Sequence, residues 1–147
     1  MEDDIDRAIV SRLAADGRAV FADIARETGL STSALHQRVK RLEARGIITG
    51  YKAVISLENI GQPLTAFVSL TPIDPVVSDA IPQLLEDIAE VESCWSVAGA
   101  ESYILKVNVA TPLDLEILLS KIRTTAQVST RTTIVLSTPF AQRPPAL

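Results

Sequence analysis

A turn followed by one short amphipathic helix, at residues 28–46, constrains the fold of this chain more than any other stretch. Gly29 suits the left-handed conformation that ends a helix, and Ser31 is a residue type that caps the next one. Gly46 then stops the pattern. One face of this helix is apolar and is formed by Leu35, Val39 and Leu42. The spacing predicts a helix that packs on a core through this face and leaves the opposite face uncovered.

The opposite face is polar at its start and cationic toward its end. Its members are Ser31, Ser33, His36, Gln37, Lys40 and Arg41, with Arg38 on the flank. From Ser33 to Arg41 the helix rises by about 12 Å, which is close to the width of a B-DNA major groove. Gln side chains can pair with adenine through two hydrogen bonds, while Lys and Arg suit guanine edges or phosphates. These residues are therefore predicted to contact DNA, with a solvated surface helix as the alternative.

Two helical patterns lie upstream and favour the DNA interpretation. The first has an apolar residue at every fourth position: Ile5, Ile9 and Leu13. Asp3 or Asp4 can cap it, and Gly17 closes it. The second covers residues 21–28, although Val20 before it cannot cap. A short helix, a Gly-containing turn and a second helix have the spacing of a helix-turn-helix, which predicts a three-helix DNA-binding domain at residues 1–50.

The overall composition describes a globular chain with a local basic patch. Of its 147 residues, 47% are hydrophobic and 22% charged, and the formal net charge is −4. Between positions 31 and 52 the basic residues face Glu43 as the single acid. No apolar run approaches the roughly 18 residues of a membrane span, and the acidic N-terminus is unlike a signal peptide. We expect a cytoplasmic, nucleoid-associated protein without a membrane segment.

After the third helix the pattern changes from helical to alternating. Residues 46–55 are predicted as a strand, and residues 51–63 form a hinge strand and linker. From residue 64 to 147 the order is strand, helix, strand, strand, helix, strand, which is the ferredoxin-like arrangement. The predicted fold class is therefore α+β: an N-terminal three-helix, winged-helix-like helix-turn-helix domain followed by a ferredoxin-like βαββαβ sandwich.

Local signals give the elements of the second domain. The predicted strands cover residues 64–70, 93–98, 102–110 and 130–136. Pro82 is compatible with a helix only in its first turn, and Thr111 with Pro112 forms a good helix start. Both helices would cover one face of the sheet, so the other face would present alternate apolar residues. We therefore expect an obligate homodimer.

Six short motifs follow one another along the chain. None is specific alone, but their order is informative. They are Ile5-Asp6-Arg7, Asp16-Gly17-Arg18, Gly29-Leu30-Ser31, Arg38-Val39-Lys40-Arg41-Leu42-Glu43, Gly46-Ile47-Ile48 and Gly50-Tyr51. In this order, and before a βαββαβ module, the chain resembles the Lrp/AsnC ("feast/famine") transcriptional regulators of bacteria and archaea. The resemblance implies a double-stranded-DNA-binding dimer that often assembles into octamers. It also implies an effector, usually an amino acid, held between C-terminal domains near the hairpin after the second strand.

The hairpin at residues 99–103 departs from the family pattern. The chain has Gly-Ala-Glu-Ser-Tyr where the family commonly has Gly-Asp-x-Asp-Tyr. Turn N–H groups could receive a carboxylate, and Glu101, the only acid in the loop, could hold an ammonium group. The predicted effector residues are Gly99, Ala100, Glu101, Ser102, Tyr103, Thr132 and Thr133. A plain turn at Glu101 and an ordinary strand at residues 130–133 are the alternatives.

No pattern of residues indicates catalysis. Cys94 is predicted to be a buried small hydrophobe, and Trp95 should point to the opposite face, into a core or a dimer interface. No Walker loop, dinucleotide fingerprint, zinc spacing or catalytic triad is present, so we expect no metal and no cofactor. The predicted function is a sequence-specific DNA-binding regulator modulated by a small effector. The alternatives are an enzyme on the same scaffold, similar to sirohaem decarboxylase subunits, and a nucleoid-architectural protein.

Overall fold

The computed structural model describes residues 3–147, except for the side chain of Val77, and its contacts divide into two units. One unit comprises the residues up to Val54 together with Pro139–Leu147, and the other comprises Ile55–Thr138. Each unit has a hydrophobic core of its own.

The described part of the first unit contains three helices whose ends follow local capping signals. They are α1 at Asp4–Ala15, α2 at Phe21–Thr28 and α3 at Thr32–Ala44. Asp3 caps α1 by accepting the N–H of Asp6 at 2.8 Å, and Ser31 caps α3 by accepting the N–H of Ala34 at 3.2 Å. Val20 makes no side-chain cap bond to α2, as predicted.

The core of the first unit confirms the predicted apolar faces. Its buried residues are Ile9, Leu13, Ala19, Ile24, Ala25, Leu35, Val39 and Leu42. The three helices contribute to it from sequence-distant positions, and removing that apolar surface from water is what stabilises so small a unit.

The segment after α3 differs from the prediction. Gly46 follows the helix in the left-handed conformation, with a φ of 68°, as expected of a stop signal. The strand predicted for residues 46–55 is wrong, because the structure assigns no strand there. Residues 49–55 form no backbone hydrogen bond with the part of the chain that the structure describes. A β-prone sequence becomes a strand only when a neighbouring strand supplies bonding partners, so the wing-like element is missing.

The second unit confirms the predicted ferredoxin-like order. Its elements are β1 at Leu64–Pro72, a 3₁₀ helix at Pro75–Ala80, α4 at Ile81–Leu85, β2 at Val91–Ser96, β3 at Tyr103–Val109, α5 at Pro112–Ala126 and β4 at Val128–Ile134. The strands form an antiparallel sheet in the order β2-β3-β1-β4. Thr111 caps α5 through the N–H of Asp114, and Pro82 occupies the first turn of α4, both as predicted.

The two faces of the sheet have opposite environments. On β1, Ala66, Val68 and Leu70 are fully buried against both helices, while Phe67 is partly exposed on the other face. That open face is more polar than predicted. It carries the apolar residues Phe67, Trp95 and Ile104 among the polar residues Thr65, Ser69, Thr71, Lys106, Arg131 and Thr133. The mixture follows from strand alternation, since paired residues of neighbouring strands share a face.

Cys94 and Trp95 lie on β2, which is an edge strand of the sheet. The predicted burial of Cys94 is wrong, because its side chain is exposed. Cys94 pairs with Leu105 on the helix-covered face, but α4 has only five residues and leaves this edge uncovered. Trp95 lies on the opposite face, as predicted, beside Ile104.

Candidate nucleic-acid interface and effector site

The polar face of α3 lies on the outside of the first unit. Its exposed residues are Ser31, Ser33, His36, Gln37, Lys40 and Arg41. α2 and α3 are joined by a turn of three residues, in which Gly29 has a φ of 70° and ends α2. This is helix-turn-helix geometry, with the second helix presenting short polar groups first and cations afterwards.

His36 links the two helices of this motif. Its ring lies 4.7 Å from the ring of Phe21, measured between centroids, with the planes tilted by 53°. Phe21 is the first residue of α2, so the contact supports the angle between the helices while His36 stays exposed.

Arg38, also predicted as a DNA contact, is directed toward the N-terminus of α1. Its Nη1 donates to both carboxylate oxygens of Asp3, at 2.9 and 2.8 Å, and to Oδ1 of Asp6 at 2.9 Å. These bonds raise the pKa of the Arg38 guanidinium. The backbone N–H of Asp6 and the Arg38 guanidinium hold the pKa of the Asp3 carboxyl below its usual range. The side chain of Arg38 is therefore engaged by the protein itself.

The remaining charges on α3 favour an anionic partner. Lys40 and Arg41 are exposed, and neither forms an ion pair within residues 3–147. Glu43, the single acid of this stretch, accepts a hydrogen bond of 2.9 Å from the Tyr51 hydroxyl. Partial burial of Tyr51, which remains 49% exposed, and then this bond raise its pKa to about 12. The acid is thus held by a neutral donor while the cations face outward.

A second candidate site lies beside the hairpin in the other unit. A cavity of about 260 Å³ is lined by Ser69, Thr71, Ala100, Glu101, Ser129, Thr130 and Arg131. Glu101 and Arg131 form an ion pair at its mouth. The Arg131 side chain is 75% exposed and that of Glu101 only 17%, so the acid is largely covered while the cation extends into solvent. The cavity offers both charges together with hydroxyl groups.

Several predicted effector residues are not brought to this cavity. Thr132 pairs with the buried Val68, so it faces the helices on the far side of the sheet. Thr133 pairs with Phe67 on the open face but does not line the cavity. The Tyr103 side chain is 7% exposed, and its hydroxyl donates to the carbonyl of Ser78 at 3.1 Å.

The backbone of the hairpin is also less available than predicted. The N–H of Ser102 donates to the carbonyl of Leu70 at 3.0 Å, and the carbonyl of Ser102 accepts from Val97 at 3.0 Å. Both backbone polar groups of Ser102 are therefore already bonded within the protein, and Gly99 is exposed and does not line the cavity. Of the predicted loop residues, Ala100 and Glu101 line the cavity.

The predicted effector residues omit the polar residues that complete the cavity, although the stretch 130–133, for which the sequence leaves a ligand rim or an ordinary strand open, contains two of them. Ser69 and Thr71 come from β1, and Ser129 and Arg131 from β4. The signal was the alternation of polar residues on these strands, but it becomes useful only once β1 is known to pair with β4.

Among the described residues, no group of three or more His, Cys, Asp or Glu side chains could hold a metal ion. No helix within them is long and apolar enough to cross a membrane.

Comparison with known families assigns both units. Residues 3–43 match the AsnC-type helix-turn-helix domain, and residues 65–145 match the Lrp/AsnC ligand binding domain.

Individual relatives agree with the family models. The HTH-type transcriptional regulator LrpA of Mycobacterium tuberculosis is 55% identical over 141 residues, covering 96% of this chain and 94% of the relative. The feast or famine regulatory protein of M. tuberculosis, complexed with L-methionine, superposes with a TM-score of 0.95 at 54% identity and covers 99% of both chains. Escherichia coli AsnC gives a TM-score of 0.88 at 29% identity over 96% of both chains. The relatives are named as transcriptional regulators, which agrees with the expectation of a non-enzyme and gives no support to the sirohaem alternative. On its sequence, its two domains and its fold, this chain belongs to the Lrp/AsnC family of transcriptional regulators.

Proposed function

We propose that this regulator recognises double-stranded DNA with the outer face of α3 and that an amino acid, bound beside the hairpin, modulates it. The observation that carries the first part is the exposed polar and cationic face on the second helix of a helix-turn-helix. The proposed contacts are Ser31, Ser33, His36, Gln37, Lys40 and Arg41. A protein engaged in this way would be associated with the nucleoid.

Each part of the α3 face suits a different part of the DNA. Ser31 and Ser33 lie at the helix N-terminus, where free N–H groups and hydroxyls favour a phosphate. Gln37, in the middle, is placed to pair with a base edge in the major groove. Lys40 and Arg41 provide the positive charge whose counterion release makes binding dependent on salt.

The DNA proposal is tested by binding measurements on the DNA upstream of the protein's own gene. Gln37→Ala should relax preference at one base pair per half-site, at a cost of about 1–3 kcal/mol. Lys40→Ala should weaken all sequences similarly and reduce the salt dependence. Lys121→Ala on α5, in the other unit, is the matched control and should bind like wild type. Wild-type binding by both α3 variants would remove this helix from the interface.

The effector proposal depends on the charges at the cavity. An amino acid carries an ammonium and a carboxylate, and Glu101 with Arg131 presents the complementary pair. We infer that the ligand's ammonium replaces the guanidinium at Glu101, and that Arg131 turns to meet the ligand's carboxylate. The cavity of about 260 Å³ is smaller than the roughly 300–1,000 Å³ of drug-sized sites, as suits so small a ligand. The L-methionine complex of the M. tuberculosis relative makes methionine the first ligand to try.

Calorimetry with paired ligands and variants tests these assignments. L-Methionine should bind wild type best, N-acetyl-L-methionine should lose the Glu101 contact, and L-methioninamide should lose the Arg131 contact. Glu101→Gln should therefore weaken L-methionine binding but leave N-acetyl-L-methionine binding unchanged. Arg131→Gln should do the same with L-methioninamide. Tight L-methionine binding that neither variant changes would show that the ligand is held elsewhere.

We also propose a homodimer on the basis of the open sheet face, and octamers built from it on the basis of the family resemblance. Phe67, Trp95 and Ile104 are apolar residues of that face, and Phe67 and Trp95 remain more than a third exposed in one chain. A second copy would cover them around a twofold axis. Light scattering should give at least a dimer for wild type and a smaller species for Phe67→Ser. A stable wild-type monomer at micromolar concentration would contradict this proposal.

An effector acts on DNA binding only through differential affinity. An amino acid that binds one assembly state more tightly shifts the population toward that state and changes DNA affinity by the same coupling. Repeating the DNA titration with saturating L-methionine measures that coupling directly.

A further inference from the structure

Arg38 differs from the other residues of the predicted DNA face because its side chain bonds to the start of α1. A single nitrogen, Nη1, donates to Asp3 and Asp6, which lie 35 and 32 residues earlier in the chain. The Arg38 side chain is 20% exposed, and the Asp6 side chain is 5% exposed. Within residues 3–147, the exposed cations Lys40 and Arg41 of the same helix form no ion pair.

The N-terminus of α1 holds these charges in place. Asp3 is the helix cap, so its carboxylate already accepts the N–H of Asp6 at 2.8 Å. Carboxylates are favoured at a helix N-terminus because free N–H groups and the helix dipole are positive there. Arg38 is therefore bound to two acids that α1 itself orients.

A DNA phosphate would compete poorly for Arg38. Moving the guanidinium to a phosphate would take a charged partner from Asp6, whose carboxylate is nearly buried, and such losses are strongly unfavourable. The Asp3 carboxylate would also repel an approaching phosphate. Both effects keep Arg38 on α1.

The bonds from Arg38 to Asp3 and Asp6 constrain the rotation of α3, which apolar packing alone leaves free. α3 packs on the core through Leu35, Val39 and Leu42, and apolar burial has little directional preference. Charge-assisted hydrogen bonds have defined lengths and angles. Since Arg38 lies between Gln37 and Val39, fixing it also fixes the rotation of α3 at the residue proposed to contact a base.

We propose that Arg38 is a positioning residue, which with Asp3 and Asp6 fixes α3 on α1 and does not bind DNA phosphate. The role deepens the proposed function and rests on it, since it concerns how α3 is presented to DNA.

Salt titrations of DNA affinity distinguish positioning from contact. Arg38→Met should weaken specific binding by roughly tenfold, comparable with one lost base contact, because α3 is less well held. Its slope of log affinity against log salt should equal that of wild type, since no phosphate contact is lost. Lys40→Met, the matched control on the same helix, should lower the slope by about 0.9 for each phosphate contact removed.

Asp6→Asn provides the sharper variant because it moves charge in the opposite direction. Removing an acid from the DNA-binding unit should strengthen binding if charge alone mattered. If Arg38 has a positioning role, Asp6→Asn should weaken DNA binding as Arg38→Met does, again without changing the slope of log affinity against log salt. The double variant Asp6→Asn with Arg38→Met should be no weaker than the poorer single variant, because both remove one interaction.

The opposite pattern would overturn the proposal. A reduced slope for Arg38→Met, together with normal or stronger binding by Asp6→Asn, would make Arg38 a phosphate contact. Circular dichroism checks that the variants fold. If Arg38→Met unfolds, Arg38→Lys is the second variant, because it keeps the charge but loses the Nη1 bonds. Its DNA affinity should fall while its salt slope stays unchanged. Amide exchange over α3 gives a readout independent of DNA. Faster exchange in both Arg38→Met and Asp6→Asn supports positioning even if wild type binds no DNA, and unchanged exchange in both contradicts it.

Discussion

Arg38 in the first unit and Arg131 in the second are both paired with acids in a predicted binding region, yet they are held differently. Arg38 is mostly covered and bonds to a nearly buried Asp6 and to the helix cap Asp3. Arg131 is mostly exposed and pairs with Glu101 at the mouth of a cavity. We therefore propose that the same residue type serves as a positioning residue in one unit and as an exchangeable ligand partner in the other.

The two ion pairs differ in how easily water can replace one of the partners. Water and small ions compete directly for an exposed ion pair, so such a pair contributes little to stability and opens readily. A covered pair cannot be rehydrated without moving the helices, so removing one member leaves a charge in a poor environment. A ligand-binding site needs the first kind of pair, and a structural joint needs the second.

Truncation of a core residue should give the largest loss of unfolding free energy in either unit. The losses expected from the two arginine variants are smaller and can be compared with it. Leu35→Ala should cost about 2–5 kcal/mol of unfolding free energy, because Leu35 is fully buried. The loss should be concentrated in amide protection of α1, α2 and α3. Leu105→Ala, its counterpart in the sheet core, should lower protection mainly in the second unit. Equal loss in both units from either variant would show that their cores do not act separately.

Removing each arginine tests the comparison itself. Arg38→Met should lower the thermal midpoint of the first unit, while Arg131→Met should change stability by no more than about 0.5 kcal/mol, as is usual for exposed positions. Melting curves of the two variants beside wild type measure both. A larger destabilisation by Arg131→Met than by Arg38→Met would reverse the roles proposed for the two arginines.

The sheet site can be tested by residues on its two faces. Ser69→Val should weaken L-methionine binding severalfold, because Ser69 lines the cavity. Thr132→Val should leave it unchanged, because Thr132 pairs with Val68 on the helix-covered face. Calorimetry on both variants gives the answer. Loss of binding from Thr132→Val with retention in Ser69→Val would place the ligand on the other side of the sheet.

The smallest effect concerns the Tyr51–Glu43 bond. The folded pKa of Tyr51, about 12, exceeds its ordinary value of 10.0, so folding favours the neutral phenol. The resulting stability is present below pH 10.0 and is lost as the pH rises toward 12. Tyrosinate absorbance during alkaline titration should show a component near this value, and Glu43→Gln should lower its midpoint. An unchanged midpoint would attribute the shift to burial alone.

Much of this protein was determined by the sequence alone, because the relevant signals act over a few residues. Asp3, Ser31 and Thr111 cap their helices as predicted, since a cap bonds to an N–H only three positions later. The apolar faces of α1, α3 and α5 follow from spacing of three and four residues. The order of elements then gave the fold class and the family resemblance, and the comparisons confirm both.

The tertiary structure decided whatever depends on residues far apart in the chain. Arg38 was predicted from its place on α3, and its bonds to Asp3 and Asp6 could not be foreseen because spacing on one helix says nothing about another. Thr132 and Arg131 are adjacent on one strand and so point to opposite faces, but only the register of β4 on β1 places Arg131 on the open face and Thr132 on the helix-covered face. Local sequence fixes which side chains share a face, whereas packing and strand pairing decide what that face meets.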